Sequence, residues 1–306
     1  MKISKVVVTG ATGMIAISLI KELISDGIIV YAVVRPGSKN ISRLPDSSFI
    51  EVIECDLSKI NSLVEVLGRN IDLFYHFGWE ASTVNRDSDF DAQILNIKYT
   101  LDAYKTSEKL GCKKFIGAGS QAEYGQNFSN ELVTEKTIPN PSTPYGIAKF
   151  AAFKMIQAMS KQISSTGFIW TRIFSVYGTN DHEHTLINSL INSDNTSEFN
   201  LSSCEQTWNY LHEKDAGNAF YRLGLFGRTS EVYNIANNES KRLKVYINSI
   251  LSLLKHNVTL NFGIDDNNNN LKPCIKKLME DTGFIPKISF EDGIVKLIGS
   301  RLNKNE

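Results

Sequence analysis

Short unbroken apolar runs alternate with stretches of helical period along the first half of the chain. Val6-Val7-Val8, Ile28 to Val34, Phe49 to Ile53, Ile71 to Tyr75, Lys113 to Ile116 and Phe168 to Ile173 each read as a buried strand rather than an alternating, half-solvated one. Between them, Met14 to Ser25, Lys59 to Leu67, about Phe90 to Leu110 and about Tyr145 to Ser164 carry apolar residues at helical spacing. Asp26-Gly27 and Arg35-Pro36-Gly37-Ser38 punctuate the series. Strands alternating with helices predict parallel βαβ units with both faces of the sheet covered, hence an α/β doubly wound, Rossmann-type sheet.

After Tyr177-Gly178 the alternation loosens. Trp208 to Leu225 returns to the main pattern, so the expected division is 1–178 plus about 208–238 for a nucleotide-binding domain. Residues 179–207 plus about 239–306 would then form a smaller, interleaved substrate-binding domain. Asn267 to Asn270 is a low-complexity run that reads as a solvated loop.

Composition narrows the class. The 306 residues hold 33 Lys plus Arg against 33 Asp plus Glu, so no global field draws nucleic acid or an anionic membrane. No apolar run approaches the roughly 20 residues of a membrane span. Met1-Lys2-Ile3-Ser4-Lys5 leads straight into a strand, leaving no room for a signal peptide. Cys55, Cys112, Cys204 and Cys274 are widely spaced, form no C-x-x-C pair and read as free thiols of a cytoplasmic protein.

Three elements carry chemistry. Thr9-Gly10-Ala11-Thr12-Gly13-Met14-Ile15-Ala16 joins the first strand to its helix, where Gly10 and Gly13 allow a tight turn and close approach of a pyrophosphate to the helix N-terminus. Pro144-Tyr145-Gly146-Ile147-Ala148-Lys149 places Tyr145 and Lys149 one helical turn apart. An ammonium there favours the phenolate of a tyrosine whose ordinary pKa is about 10. Ser120, in Gly119-Ser120-Gln121-Ala122-Glu123-Tyr124-Gly125, is suited to hydrogen-bond a substrate oxygen that gains or loses a proton. Together these are the parts of a hydride-transfer site beside a nicotinamide.

With these motifs, from the glycine run to Phe284-Ile285-Pro286-Lys287, the chain resembles extended short-chain dehydrogenases/reductases of the NAD(P)-dependent nucleotide-sugar epimerase/dehydratase family. The resemblance implies a nucleotide-sugar substrate, with Tyr145 as general acid/base, Lys149 lowering its pKa and holding the nicotinamide ribose, and Ser120 orienting the substrate oxygen. It also implies cofactor contacts from Thr12, Met14 and Ile15, from Asp56 and Leu57 after the third strand, from Phe77 and Gly78 after the fourth, and from Ile173. Asp56 equally suits a helix N-cap. The family's long helices, here Phe90 to Leu110 and Tyr145 to Ser164, usually pair two subunits, so a homodimer is expected.

Departures from the family pattern refine the expectation. Ala16 replaces a third glycine. Val34 stands where NAD-preferring members place an Asp, and Arg35 with Ser38 follows, which favours NADP(H) over NAD(H) through a 2′-phosphate; a solvated loop arginine is the alternative. Sugar 4,6-dehydratases resemble Thr-Asp-Glu where this chain has Ser120-Gln121-Ala122, which argues against dehydration. Ser175 replaces an Asn and Trp208 an Arg, leaving Trp208 to stack on a ring or simply to pack. Ser82 and Thr83 are expected to face the sugar or to be ordinary loop residues, and Gln121 joins them as a substrate contact. Glu123 is expected to point away from Ser120 or into solvent. Asp181-His182-Glu183-His184 sits on a loop with no distant partner ligands in view, so no metal is expected. The expected function is an NADPH-dependent reductase of a nucleotide-linked 4-keto-6-deoxy sugar. The alternatives are an epimerase that retains its nicotinamide and a non-catalytic NADP-sensing protein.

Overall fold

The computed structural model describes residues 3–83, 85–125, 131–162, 165–264 and 270–302. Strand and helix alternate through β1 (Lys5–Thr9), α1 (Met14–Ser25), β2 (Ile29–Val34), β3 (Ile50–Glu54), α2 (Leu63–Leu67), β4 (Leu73–His76), α3 (Phe90–Lys109), β5 (Lys114–Ser120), α4 (Pro144–Met159) and β6 (Gly167–Ile173). There follow β7 (Val176–Tyr177), α5 (Leu186–Ile191), β8 (Glu198–Leu201), β9 (Thr207–Trp208), β10 (Leu211–His212), α6 (Glu213–Phe226) and β11 (Glu231–Ile235). The last elements are β12 (Lys241–Arg242), α7 (Leu243–Leu253), β13 (Thr259–Phe262), α8 (Lys276–Thr282) and α9 (Phe290–Leu302). The Asn267–Asn269 run and residues 163 and 164 of the expected long helix lie outside the described residues.

Seven parallel strands form one sheet in the order β11-β6-β5-β4-β1-β2-β3. The chain runs outward from β1 to β3, returns to β4 on the other side of β1, and continues outward to β11. This reversal leaves a crevice beyond the carboxyl ends of β1 and β4, where doubly wound sheets bind ligands. Val6, Val7 and Val8 are fully buried because helices cover both faces. α1 and α6 pack together on one face, so closely that a Cβ on Gly217 would lie 2.5 Å from the Ser18 backbone. α3 and α4 lie side by side on the other face and leave Phe90, Ile94, Leu95, Ile147 and Met155 exposed.

Three features differ from the sequence reading. The helix expected from Lys59 begins as a 3-10 turn over Leu57–Ser62, with Lys59 out of helical geometry (φ −114°), before α2. Asp56 starts that turn and accepts from the Ser58 backbone N–H at 2.9 Å. The edge strand β11 had no signal of its own among the expected strands. A third apolar cluster, around Tyr177, Leu190, Ile247, Phe290 and Leu297, is built from β7, α5, α7 and α9. There β8 pairs with β13 and β9 with β12. α8 instead packs against α6 and β11. The four cysteines are free. Among the described residues no helix is long and apolar enough to cross a membrane.

Candidate active site

The loop from β1 into α1 is shaped by Gly10. Its φ of +62° suits glycine, and a Cβ there would lie 2.9 Å from the Gly78 nitrogen and the Phe77 carbonyl carbon. Gly13 is the N-cap of α1, with no side chain capping the helix and no acidic residue in its first turn. The first N–H groups of α1 therefore open into the crevice, and Met14 and Ile15 line it. Thr12 lies in the turn between the two glycines. Leu57 packs over Gly78, where an added Cβ would meet its Cδ2 at 2.7 Å. An anion-seeking helix end beside a glycine cradle fits the pyrophosphate of a dinucleotide.

At the end of β2, Arg35 is exposed and Ser38 closes a turn onto its carbonyl, Ser38 N to Arg35 O at 3.0 Å. The Asp56 carboxyl is held below the usual carboxylate range, chiefly by the Ser58 hydroxyl and N–H, with Lys59 and Arg35 adding weak positive fields. His76 ends β4, buried between Thr9 and Thr100 hydroxyls at 2.8 and 3.4 Å. Burial, with the Lys149 charge nearby, pushes its pKa down to about 3, so the ring stays neutral.

The reacting groups come from β5 and α4. Thr143 caps α4, its hydroxyl accepting from the Gly146 N–H at 3.1 Å, and Pro144 opens the first turn, which fixes where Tyr145 and Lys149 project. Lys149 is buried and its Nζ donates to the Ala118 carbonyl at 2.6 Å. Burial lowers its pKa to about 7, against a raising field from Glu123. Tyr145 is pushed up to about 12, principally by burial, while the Ser120 hydroxyl and the Arg86 charge pull the other way. Of the positive charges, Arg86 rather than Lys149 acts on the phenol in this arrangement. The ammonium is drawn to the Ala118 carbonyl and the Trp79 ring instead of the phenol oxygen, and burial dominates.

Glu123 corrects another expectation. It neither faces solvent nor turns from Ser120. Its Oε1 accepts from the Ser120 N–H at 3.0 Å and from the Trp170 indole at 2.9 Å, and its Oε2 accepts from Arg172 Nε at 2.9 Å. The Ser120 hydroxyl in turn accepts from the Ala122 N–H at 3.1 Å, completing a capping box. Burial pushes the Glu123 carboxyl up; Arg172, the indole and the Ser120 N–H oppose this.

A cleft of about 760 Å³ brings together Ser120 and Tyr145 with the expected sugar contacts, while Lys149, Arg35, Ser38 and Asp56 lie outside its lining. Ser120, Gln121, Tyr145 and Ile173 form its floor with Met14 and Ile15, and Ser82, Thr83 and Ser175 stand on its walls. The Gln121 Oε1 is buried without a hydrogen-bond partner among the described residues. Trp208 is not in the cleft; it is half-buried on β9 and packs between apolar clusters. Among the described residues no three His, Cys, Asp or Glu side chains converge as metal ligands.

The cleft also holds residues the sequence reading did not place there. His182, Glu183, His184 and Thr185 line it, as does Arg86, whose guanidinium lies 5.4 Å from the Tyr145 ring centroid. Trp79 stands edge-on to Tyr145, with centroids 6.1 Å apart. The available signal was positional: both segments follow the carboxyl ends of sheet strands, where doubly wound folds place ligand-binding loops.

The sequence profile of the NAD dependent epimerase/dehydratase family matches residues 6–236. A dTDP-D-glucose 4,6-dehydratase of Mus musculus is 24% identical over 96% of this chain and 87% of its own length. A dTDP-4-dehydro-6-deoxyglucose reductase of Escherichia coli is 26% identical, over 96% of each chain. The structure of UDP-glucuronic acid 4-epimerase from Bacillus cereus in complex with NAD superposes with a TM-score of 0.83 at 21% identity, covering 97% of this chain and 99% of that one.

Proposed function

Because the chain belongs to the NAD dependent epimerase/dehydratase family, we propose that it is an NADPH-dependent reductase of a nucleotide-linked 4-keto-6-deoxy sugar. The coarser statement, a nicotinamide-dependent enzyme acting on nucleotide sugars, rests on that membership and on relatives that include a dTDP-sugar reductase, 4,6-dehydratases and epimerases. The observation that carries the finer reading is the acid–base set at the cleft floor. Tyr145 is held protonated, Gln121 and Ala122 follow Ser120, and the carboxylate after them, Glu123, is spent on Arg172. Eliminating water needs an additional acid and base, whereas reducing a ketone needs one proton delivered to the developing alkoxide.

In this reading the bound nicotinamide supplies the hydride. Gly10, Gly13 and the N–H groups of Met14 and Ile15 seat the pyrophosphate, and Arg35 with Ser38 selects the 2′-phosphate. Tyr145 Oη donates the proton to the keto oxygen, and Ser120 Oγ orients that oxygen. Lys149 holds the ribose hydroxyls. Ser82, Thr83, Ser175 and Gln121 take the sugar's hydroxyls. The same reading carries a homodimer through the exposed apolar faces of α3 and α4, which light scattering on the purified protein tests.

The deciding experiment follows NADPH absorbance when purified protein meets a panel of nucleotide-linked 4-keto-6-deoxyhexoses. Stoichiometric oxidation with one member supports the reductase. No oxidation, with isomerised nucleotide sugar in the same tubes, overturns it in favour of an epimerase.

A further inference from the structure

Lys149 has a second partner besides the Ala118 carbonyl: its Nζ lies 3.6 Å from the centroid of the Trp79 ring. That indole is fixed in place from α3. Trp79 Nε1 donates to Gln93 Oε1 at 2.9 Å, and Gln93 Nε2 donates to the Ala81 carbonyl at 3.1 Å. One turn along the same face, Asn96 accepts from the Glu80 N–H at 2.8 Å and donates to the Glu80 carbonyl at 2.9 Å. Gln93 and Asn96 are 2% and 1% exposed. Two buried amides are costly unless paired, and these spend four hydrogen bonds on three consecutive loop residues.

We propose that Trp79 is a positioning residue of the reacting site: its indole face, locked by Gln93 and Asn96, holds the Lys149 ammonium in its buried seat beside Tyr145. The inference rests on the reading above for the identity of the reacting pair. Electrostatics around Lys149 leave room for such a partner. Glu123, on the turn after β5, attracts the ammonium, but Arg172 of β6 stands 2.9 Å from that carboxylate and neutralises much of it. His76 of β4 is neutral, and Tyr145 of α4 is protonated. Beside the Ala118 carbonyl, the attraction left is aromatic: the Trp79 face at 3.6 Å, with the Tyr145 ring further off at 5.7 Å. Because Lys149 ionises at about 7, a partner of this strength decides how much of it is charged at working pH.

The test uses the full chain labelled with ¹³C at lysine Cε, with Lys149 assigned by the resonance lost in Lys149→Met, and its titration followed by NMR. Trp79→Leu removes the ring face and is expected to lower the Lys149 midpoint by about one pH unit. Trp79→Phe, which keeps a ring, lowers it less. Gln93→Met frees the indole N–H and the Ala81 carbonyl while Asn96 still holds Glu80, and shifts the midpoint in the same direction. An unchanged midpoint in Trp79→Leu, with wild-type near-UV circular dichroism, overturns the proposal. If Trp79→Leu does not fold, unchanged midpoints in both Trp79→Phe and Gln93→Met overturn it. The readout needs no sugar substrate. A shifted midpoint without NADPH oxidation on the sugar panel therefore sinks only the reductase reading, and oxidation with an unshifted midpoint sinks only this one.

Discussion

Arg172 Nε and Glu123 Oε2 stand 2.9 Å apart with side chains 2% and 0% exposed, directly behind Ser120 at the cleft. Removing one member of a buried pair strands the other charge, at a cost of about 3–5 kcal/mol. Arg172→Met and Glu123→Leu are each expected to lower unfolding free energy by that order, and the double variant by less than their sum. Urea denaturation of the four proteins in a double-mutant cycle measures the coupling.

Gly10 has both a positive φ and no room for a methyl group against Gly78. Gly10→Ala is expected to weaken dinucleotide binding about tenfold or more, as each 1.4 kcal/mol of distortion is tenfold in affinity. Titration calorimetry with NADPH, on protein whose circular dichroism matches wild type, checks this.

Tyr145→Phe keeps the ring packed against Trp79 and deletes only the acidic proton. Turnover on the reducible sugar is expected to fall about 10²–10⁴-fold, the usual worth of a positioned acid, while NADPH affinity holds. Normal turnover would remove Tyr145 from the proton-transfer role.

Arg35 is exposed at the end of β2, free to reach a phosphate on the adenosine ribose. Arg35→Ala is expected to cut the NADPH-over-NADH preference about 10–100-fold, equivalent to one charge-assisted hydrogen bond. An unchanged ratio of kcat/KM for the two nucleotides refutes the selection.

Lys149 links stability to pH. Its folded pKa is about 7 and an unfolded lysine's is about 10.4, so between them the unfolded chain binds a proton the folded one lacks. The sign is that stability rises with pH across this window, and the full cost of the buried ammonium is present below about pH 7. Lys149→Met is therefore expected to gain a few kcal/mol relative to wild type at pH 6, an advantage that disappears by about pH 10. Thermal melts at the two pH values give the comparison.

The sheet was legible because its central strands are buried on both faces; the edge strand β3, expected as buried, instead leaves Glu51, Val52 and Glu54 exposed. The β-branched run Val6–Val8 and the span Ile29–Val34 announce themselves without alternation, and Met14–Ser25 is bounded by a glycine on one side and Asp26-Gly27 on the other. β11 was not, since Glu231–Ile235 is a five-residue edge strand beginning on a charged residue. The Tyr145–Lys149 pairing on α4 followed from helical spacing, yet the direction of the phenol's shift depended on burial, which no local pattern encodes. The seat of Glu123 was equally hidden. It requires Gly119, where a Cβ would meet Glu123 Oε1 at 2.3 Å, and Arg172, 49 residues further on. His182 to Thr185 reach the cleft only through the path of the chain after β7.

That path has a consequence for synthesis and for engineering. β8 finds its partner in β13 some sixty residues later, β9 waits for β12, and Val133 pairs with Pro273. A nascent chain emerging from the ribosome can lay down β1 to β6 in order, but must hold β8 and β9 unpaired until its final quarter is made. The two parts of the molecule are thus laced together rather than joined end to end. Severing the chain near Gly178 would strip β7 of its partner β10 and remove β11 from the edge of the large sheet. New specificities on this scaffold are accordingly expected to come from substitutions around the cleft, not from exchange of a whole terminal segment.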